Sequence, residues 1–314
     1  MRRRSLLAAT LAAPALPAFA QARTLRLIVP FPPGGTVDLL GRLVQPELEQ
    51  RLGQTVVVEN RPGAGGMIGS DVVAKAPVDA GVLVISNIAS HGVGAAVIRA
   101  MPYDPLRDFT HIGLIAAVPS ALGVSATGRF ATLAQFIDAA RASPGAVRVG
   151  SSGNGTTGHA KTEMLARAAG VELTHVPYRG AAPAVTDVIG GQTEGVIAAV
   201  ADIGRNDRLR LLAITSAERA ARWPDVPTFK ELGYPTLEAN NWFGLSGPAG
   251  MDPAVAARIN AALVAALATP AMAQRLADFG TTPNRMTPAD YTALVASELP
   301  RWARIVQEAN IRAD

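Results

Sequence analysis

Short apolar runs alternate with longer stretches of mixed apolar and polar residues along most of the chain. Leu25 to Pro30 (LRLIVP), Thr55 to Glu59 (TVVVE) and Gly81 to Ser86 (GVLVIS) read as buried strands. Thr36 to Leu52 reads as a helix closed by Gly53, and the glycine-rich Arg61 to Gly66 leads into another helix ending at Lys75. The alternation resumes in the middle of the chain. Helices are expected at Thr132 to Ala142, Gly158 to Ala169 and Ala182 to Ile189. Strands are expected at Val147 to Ser151, Leu173 to Tyr178, Gly195 to Val200 and Leu209 to Thr215. The remaining chain reads as mainly helical, at Pro253 to Ala268, Ala271 to Phe279 and Pro288 to Ala309. Continuous apolar strands between helices predict an α/β fold with parallel sheet covered on both faces. Two such units without a flexible linker predict a hinged pair whose chain crosses more than once, with candidate crossings at Pro119 to Ser125 and Asn240 to Leu245.

Composition narrows the function classes. The chain has 314 residues, 49% of them hydrophobic, enough for one large or two modest packed domains. It has no cysteine, which excludes disulfides and thiolate chemistry. Arg2, Arg3 and Arg4 precede a short apolar run from Ser5 to Ala13, and Ala18-Phe19-Ala20 supplies a small-x-small cleavage pattern. Residues 1–20 are therefore expected to be a secretory signal, cleaved near Ala20 or Ala22; the arginine cluster leaves twin-arginine export open. Removing three arginines and no acid lowers the formal charge from +4 to +1. A mature chain that close to neutrality has no electrostatic footprint for nucleic acid.

Three strand-to-helix turns carry the candidate chemistry. Pro30-Phe31-Pro32-Pro33-Gly34-Gly35-Thr36-Val37-Asp38 combines stiff prolines with glycines and would aim the amides of Gly34, Gly35 and Thr36 outward from a helix N-terminus. Such an end suits a carboxylate or phosphate; alternatively Asp38 simply caps the helix. Ser151-Ser152-Gly153-Asn154-Gly155-Thr156 offers hydroxyls and amides, and Gly153 to Gly158 fits G-x-G-x-x-G spacing. A dinucleotide is disfavoured because the next strand, Leu173 to Tyr178, ends without an acid for the ribose. A phosphate loop is disfavoured because His159 and Ala160 replace its lysine and hydroxyl residue. The third turn, Pro177 to Pro183, carries Tyr178 and Arg179. His91, His111, His159 and His175 lack metal-ligand spacing, and no G-x-S-x-G elbow is present.

The ordered series PFPPGGTVD, VVVENRPGAGGMIG, SSGNGTTGH, HVPYRGAAPA, LAITSAERAARWPDVPTFKELG and NWFGL resembles the Bug-type extracytoplasmic solute receptors of tripartite tricarboxylate transporters, from about residue 24 to the C-terminus. The resemblance implies a periplasmic-binding-protein fold with two α/β domains closing on a small organic carboxylate, with no catalysis, cofactor or metal. It implies a signal at 1–20, a first domain from 21–122 and 245–314, and a second from 123–244. By motif position, Phe31, Gly34, Gly35 and Asp38 fall on the first-domain ligand loop. Ser151, Asn154, Thr156 and His159 fall on the second-domain loop, with Tyr178 and Gly180 nearby; Ser86 and Ser90 are further cleft candidates. The implied partners are a carboxylate and a membrane transporter or sensor, and the implied state is a periplasmic monomer.

Two departures from the family pattern stand out. Asp79-Ala80-Gly81-Val82-Leu83 replaces the usual Asp-Gly-Tyr-Thr-Leu, a local turn difference. Between Gly195 and Arg210 only Ala201 to Asp207 separates two strands, so a helix near the cleft is expected to be missing or much shortened, with Asp202 retaining a strand-end acid. Two alternatives remain open: an exported NAD-dependent oxidoreductase using the Gly153 to Gly158 turn, and a degenerate receptor with a signalling role.

Overall fold

The computed structural model describes residues 24–309 and 311; the expected signal segment lies outside them. The first lobe begins with β1 (Leu25–Val29), α1 (Thr36–Leu52), β2 (Val56–Asn60), α2 (Met67–Ala74) and β3 (Val82–Asn87). β1 lies parallel between β2 and β3. A π-helical turn at Ala89–Val93 runs into a one-turn helix, α3 (Gly94–Val97). The chain then extends through β4 (Phe109–Ser125), seventeen residues long.

The second lobe contains α4 (Leu133–Ala142), β5 (Arg148–Ser151), α5 (Thr157–Ala169), β6 (Thr174–Pro177), α6 (Ala181–Ile189), β7 (Gly195–Ala199), α7 (Val200–Ile203) and β8 (Leu209–Ile214). β9 (Asn240–Pro248) returns to the first lobe, followed by α8 (Pro253–Leu267), α9 (Pro270–Ala277) and α10 (Pro288–Glu308). The strand order is β2-β1-β3-β9-β4-β7-β5-β6, with β8 also on β4. The expected all-parallel arrangement is thus corrected to a mixed one. β9 runs antiparallel to both β3 and β4, and β4 antiparallel to β7 and β8, because the chain enters and leaves the second lobe as extended strand.

β4 was not legible as a strand because its glycines, alanines and Pro119 mask any period-two pattern. Phe109 through Pro119 pairs with β9, whereas Ser120 onward pairs with β7 and β8. Pro119 therefore sits where the strand changes partners, a place where a missing ladder donor costs little.

Beside this transfer point lies Lys161, fully buried on α5. Its Nζ donates to Ser120 Oγ at 2.8 Å and to Ala239 O at 2.9 Å, so one ammonium joins β4 to the residue that leads into β9. Thr215 Oγ1 accepts from Ser120 N and donates to Ala239 O, closing the cluster. Burial pulls the Lys161 pKa down to about 7, with Arg301 lowering it further and Glu298 opposing.

The C-terminal helix locks the first lobe. Thr287 and Asp290 form a reciprocal capping box at the start of α10. Tyr291 and Trp302 are fully buried beneath it; Tyr291 Oη shares a hydrogen bond with Ser86 Oγ at 2.8 Å, and Trp302 Nε1 donates to Glu298 at 2.7 Å. Tyr291 fits because Gly244 on β9 presents no side chain: a Cβ there would overlap the Tyr291 ring, its hydroxyl and Gly113 O.

Gly244→Ala is expected to lower unfolding stability by about 1–3 kcal/mol through overpacking, measured by denaturant titration; unchanged stability would contradict this packing. Acid sensitivity follows from buried histidines. Burial holds His91 well below its ordinary pKa, helped by His111, and lowers His111 to about 4 despite its bond to Pro105 O. The folded state keeps these rings neutral where the unfolded chain binds protons, so their contribution is complete above pH ~6.5 and is lost as pH falls. Between about pH 6.5 and 4.5, stability is expected to drop by roughly 1.4 kcal/mol per unit for each ring that stays neutral. Denaturation midpoints at pH 8, 6 and 5 check this; a midpoint rising toward pH 5 would contradict it.

Candidate ligand cleft

The turn from β1 into α1 is shaped by Gly34, whose φ of 87° lies in the left-handed region. Gly34 N donates to Asp38 Oδ2 at 2.9 Å, and the same carboxylate accepts from Arg42 Nε and Asn60 Nδ2. Burial pushes the Asp38 pKa up, but the bonds from Arg42, Gly34 and Asn60 more than reverse it and hold the group below the usual carboxylate range. Asp38 is thereby committed to holding the loop, and neither it nor Gly34 reaches the central cavity.

α1 has no side-chain cap within its own segment. Its cap comes from across the cleft: Asp202 Oδ1 accepts from both Thr36 N and Thr36 Oγ1, each at 2.6 Å. Asp202 stands on α7, a single turn between β7 and β8, which is the shortened helix expected from the sequence. Burial raises the Asp202 pKa, while Thr36 and the charge of Arg205 pull it back. Two of the three amides expected to face a ligand, those of Gly34 and Thr36, are therefore engaged by carboxylates of this same chain.

The second lobe presents two helix N-termini. α5 starts after Thr156, whose hydroxyl donates back to Gly153 O at 2.7 Å, and among the described residues no side chain caps its free amides. α6 starts after Gly180, at φ 115°, also without a side-chain cap. First-turn amides that lack intrahelical partners carry partial positive charge and suit an anion. Gly158 lets α5 approach β7: a Cβ there would strike Ile197 O and come within 2.9 Å of Ser151 Cβ.

Between these ends and β9 lies a cavity of about 80 Å³, several times what one water requires. Thr157, Gly158, Ala181 and Ala182 line it on one side; Phe31, Gly35, Ile88 and Phe243 line the other. Asp202, Asn241, Ser152 and Arg179 supply polar groups. It adjoins a wider space of about 750 Å³ that includes Asn154, Tyr178 and the Gly63–Gly66 turn. The lobes touch at its rim, where Gly180 packs against Pro32 and Gly65 against Asn154.

Of the expected site residues, Phe31, Gly35, Thr156, Gly180 and Asp202 line the cavity. Asn154 and Tyr178 line the wider adjoining space instead, and the Tyr178 hydroxyl donates to Asp187 at 2.6 Å. Ser86 and Ser90 lie away from the cavity: Ser86 bonds Ser246 and Tyr291, and Ser90 bonds His91 Nδ1 at 2.9 Å. Ser151 is fully buried and shares a 2.6 Å hydrogen bond with His175 Nε2, not with His159. His159 stacks on His175 with ring centres 4.1 Å apart and accepts from Gly155 N, so it supports the loop from beneath. Burial and the neighbouring His159 lower the His175 pKa to about 3. Asn87 was missed; Ser152 was read only as part of the Ser151–Thr156 turn, and Asn241 only as the first residue of the NWFGL segment. Among the described residues, no group of three or more His, Cys, Asp or Glu side chains is placed to hold a metal, and no single helix is long and apolar enough to cross a membrane.

Known proteins resemble this chain in sequence and in fold. The tripartite tricarboxylate transporter family receptor pattern matches residues 40–311. A Pseudomonas sp. protein from the tcbD-tcbE intergenic region is 38% identical over 296 residues, covering 93% of this chain and 88% of that protein. BugT of Bordetella pertussis is 36% identical, covering 93% and 90%. Among solved structures, an R. palustris protein with adipate superposes with a TM-score of 0.88 at 34% identity, covering 92% of this chain and 98% of that one. MatC from Rhodopseudomonas palustris, with bound malate, gives 0.85 at 30% identity, covering 90% and 98%. The periplasmic binding protein BugD gives 0.87 at 28%, covering 93% and 99%. With the family pattern spanning most of the chain and the two-lobed fold shared throughout, the chain belongs to the Bug-type receptors of the tripartite tricarboxylate transporter family.

Proposed function

We propose that this receptor works in the periplasm, without catalysis, by closing on a small carboxylate and presenting it as a monomer to a membrane transporter or sensor. The lobes divide near residues 122 and 244. The observation that carries this assignment is the pair of uncapped N-termini, α5 and α6, converging on one cavity. Their amides supply charge-assisted hydrogen bonds to one carboxylate, and apolar walls from Ile88, Ala198 and Phe243 take the carbon chain. Adipate and malate in related structures set the size of ligand to try first.

Asp202 makes this cleft asymmetric. Its carboxylate fills the α1 end, so the ligand's anionic group belongs on the second-lobe side. The same bonds tie the lobes together and contribute to closure. An NAD-dependent oxidoreductase has less support, since β6 offers no acid to a ribose and the Gly153 to Gly158 turn packs closely against β7.

Calorimetric titration of ligand-stripped protein with mono-, di- and tricarboxylates, including adipate and malate, is expected to show micromolar or tighter binding to at least one, and no heat with NAD. Silence from every carboxylate, or turnover with NAD, would overturn the assignment. Asp202→Asn keeps the shape of the α1 cap but removes a negative charge beside the ligand. Measured at pH 8, it is expected to tighten carboxylate binding by about tenfold; weaker binding would mean that Asp202 holds a donor on the ligand.

A further inference from the structure

Asn241 lies at the start of β9, is only 3% exposed, and lines the cavity. Its Nδ2 lies 2.9 Å from Ser120 Oγ, and its Oδ1 is buried with no hydrogen-bond partner. A buried amide oxygen left alone costs on the order of 1–3 kcal/mol. Its environment contains a second unmet need. Ser120 Oγ accepts from Lys161 Nζ at 2.8 Å, and an ammonium has no lone pair to give back. If Ser120 also accepts from Asn241, its own proton has no acceptor.

Turning the amide over gives the Ser120 proton an acceptor and exchanges the orphaned oxygen for a donor that an anion can satisfy. The two ends of a side-chain amide have nearly the same shape, so the hydrogen-bond network decides which faces where. With Oδ1 towards Ser120, the hydroxyl accepts from Lys161 and donates to Asn241. The Nδ2 group then takes the buried position that Oδ1 held, beside the cavity, as a donor with no receiver among the described residues. The α5 and α6 N-termini bring further donors to the same space.

We propose that Asn241 is a ligand-binding residue that donates Nδ2–H to the ligand's carboxylate, set in that orientation by a buried hydrogen-bond chain from Lys161 through Ser120. This deepens the receptor assignment and rests on it for the identity of the ligand class. Lys161 is a positioning residue: it also grips Ala239, two residues before Asn241, so the site donor and the strand crossings share one network. The chain requires Lys161 as an ammonium. A neutral amine would accept from Ser120 and return the amide to the opposite orientation, putting an oxygen against the carboxylate. The charged groups acting on Lys161 are Arg301, which disfavours the ammonium, and Glu298, which favours it; both lie on α10.

The orientation is read first without any ligand. In full-length protein with ¹⁵N-labelled asparagine at pH 6, with Asn241→Asp used to assign the signal, the Asn241 side-chain NH₂ protons are expected to show no nuclear Overhauser contact to the Ser120 β protons. A strong contact would place Nδ2 against Ser120 and overturn the proposal. Adipate and malate are then titrated into wild type and Asn241→Asp. Aspartate keeps an acceptor for Ser120 but replaces the cavity-facing donor with an acceptor, so affinity is expected to fall by about a hundredfold or more. Unchanged affinity would overturn the proposal, since an oxygen would already face the ligand. Wild-type affinity is also expected to weaken from pH 6 to pH 9, and that dependence to disappear in Lys161→Met; a flat wild-type profile would remove Lys161 from the chain. Should wild type bind neither dicarboxylate, the receptor assignment fails on that count, while the Overhauser contact still decides the orientation of Asn241.

Discussion

Three helices begin at the same cleft, and the first-turn N–H groups of each need partners that their own helix cannot supply. This requirement organises the molecule. α1 meets it with Asp202, a carboxylate borrowed from the opposite lobe. α5 and α6 have no such cap, and their free ends share a cavity. The chain thus contains one completed example of carboxylate capture beside the cavity proposed for an external carboxylate. In the proposed mode of binding, specificity follows from that inequality: a ligand meets a donor-rich second-lobe wall and, across from it, an end already neutralised.

Closure and recognition are linked through the strands that carry the chain between lobes. β4 changes partners at Ser120, and the return path passes Ala239 before β9 begins. Lys161 holds both, from the helix whose first turn lines the proposed anion site. A buried ammonium is tolerated only where hydrogen bonds replace its water, and here those bonds run to the two crossing strands. Moving one lobe against the other must disturb this cluster or pivot about it, so the ligand loop and the hinge respond together.

Much of the fold was legible in the sequence because its strands are short, continuous and apolar, and its helices are closed by glycine or opened at proline. Gly53 ends α1 in the left-handed conformation, and Pro253 and Pro288 open α8 and α10. What escaped was β4, whose burial on both faces and proline at the transfer point leave no alternating signal. The site was legible at the level of turns but not of side chains. A turn motif shows that amides emerge from a helix end; it does not show that Asp38 will claim Gly34, or that Asp202 will reach Thr36 from 166 residues away. Asn241 was hidden for the same reason, since its importance comes from Ser120 and Lys161, far off in sequence.

The central claim is that the carboxylate rests on the second-lobe helix ends while Asp202 keeps the α1 end. A crystal structure of the full receptor with adipate or malate tests it most directly. A carboxylate within hydrogen-bonding distance of the first-turn amides of α5 and α6, with the Asp202–Thr36 bonds intact, is the predicted result. A carboxylate seated on Thr36 with Asp202 displaced would contradict it.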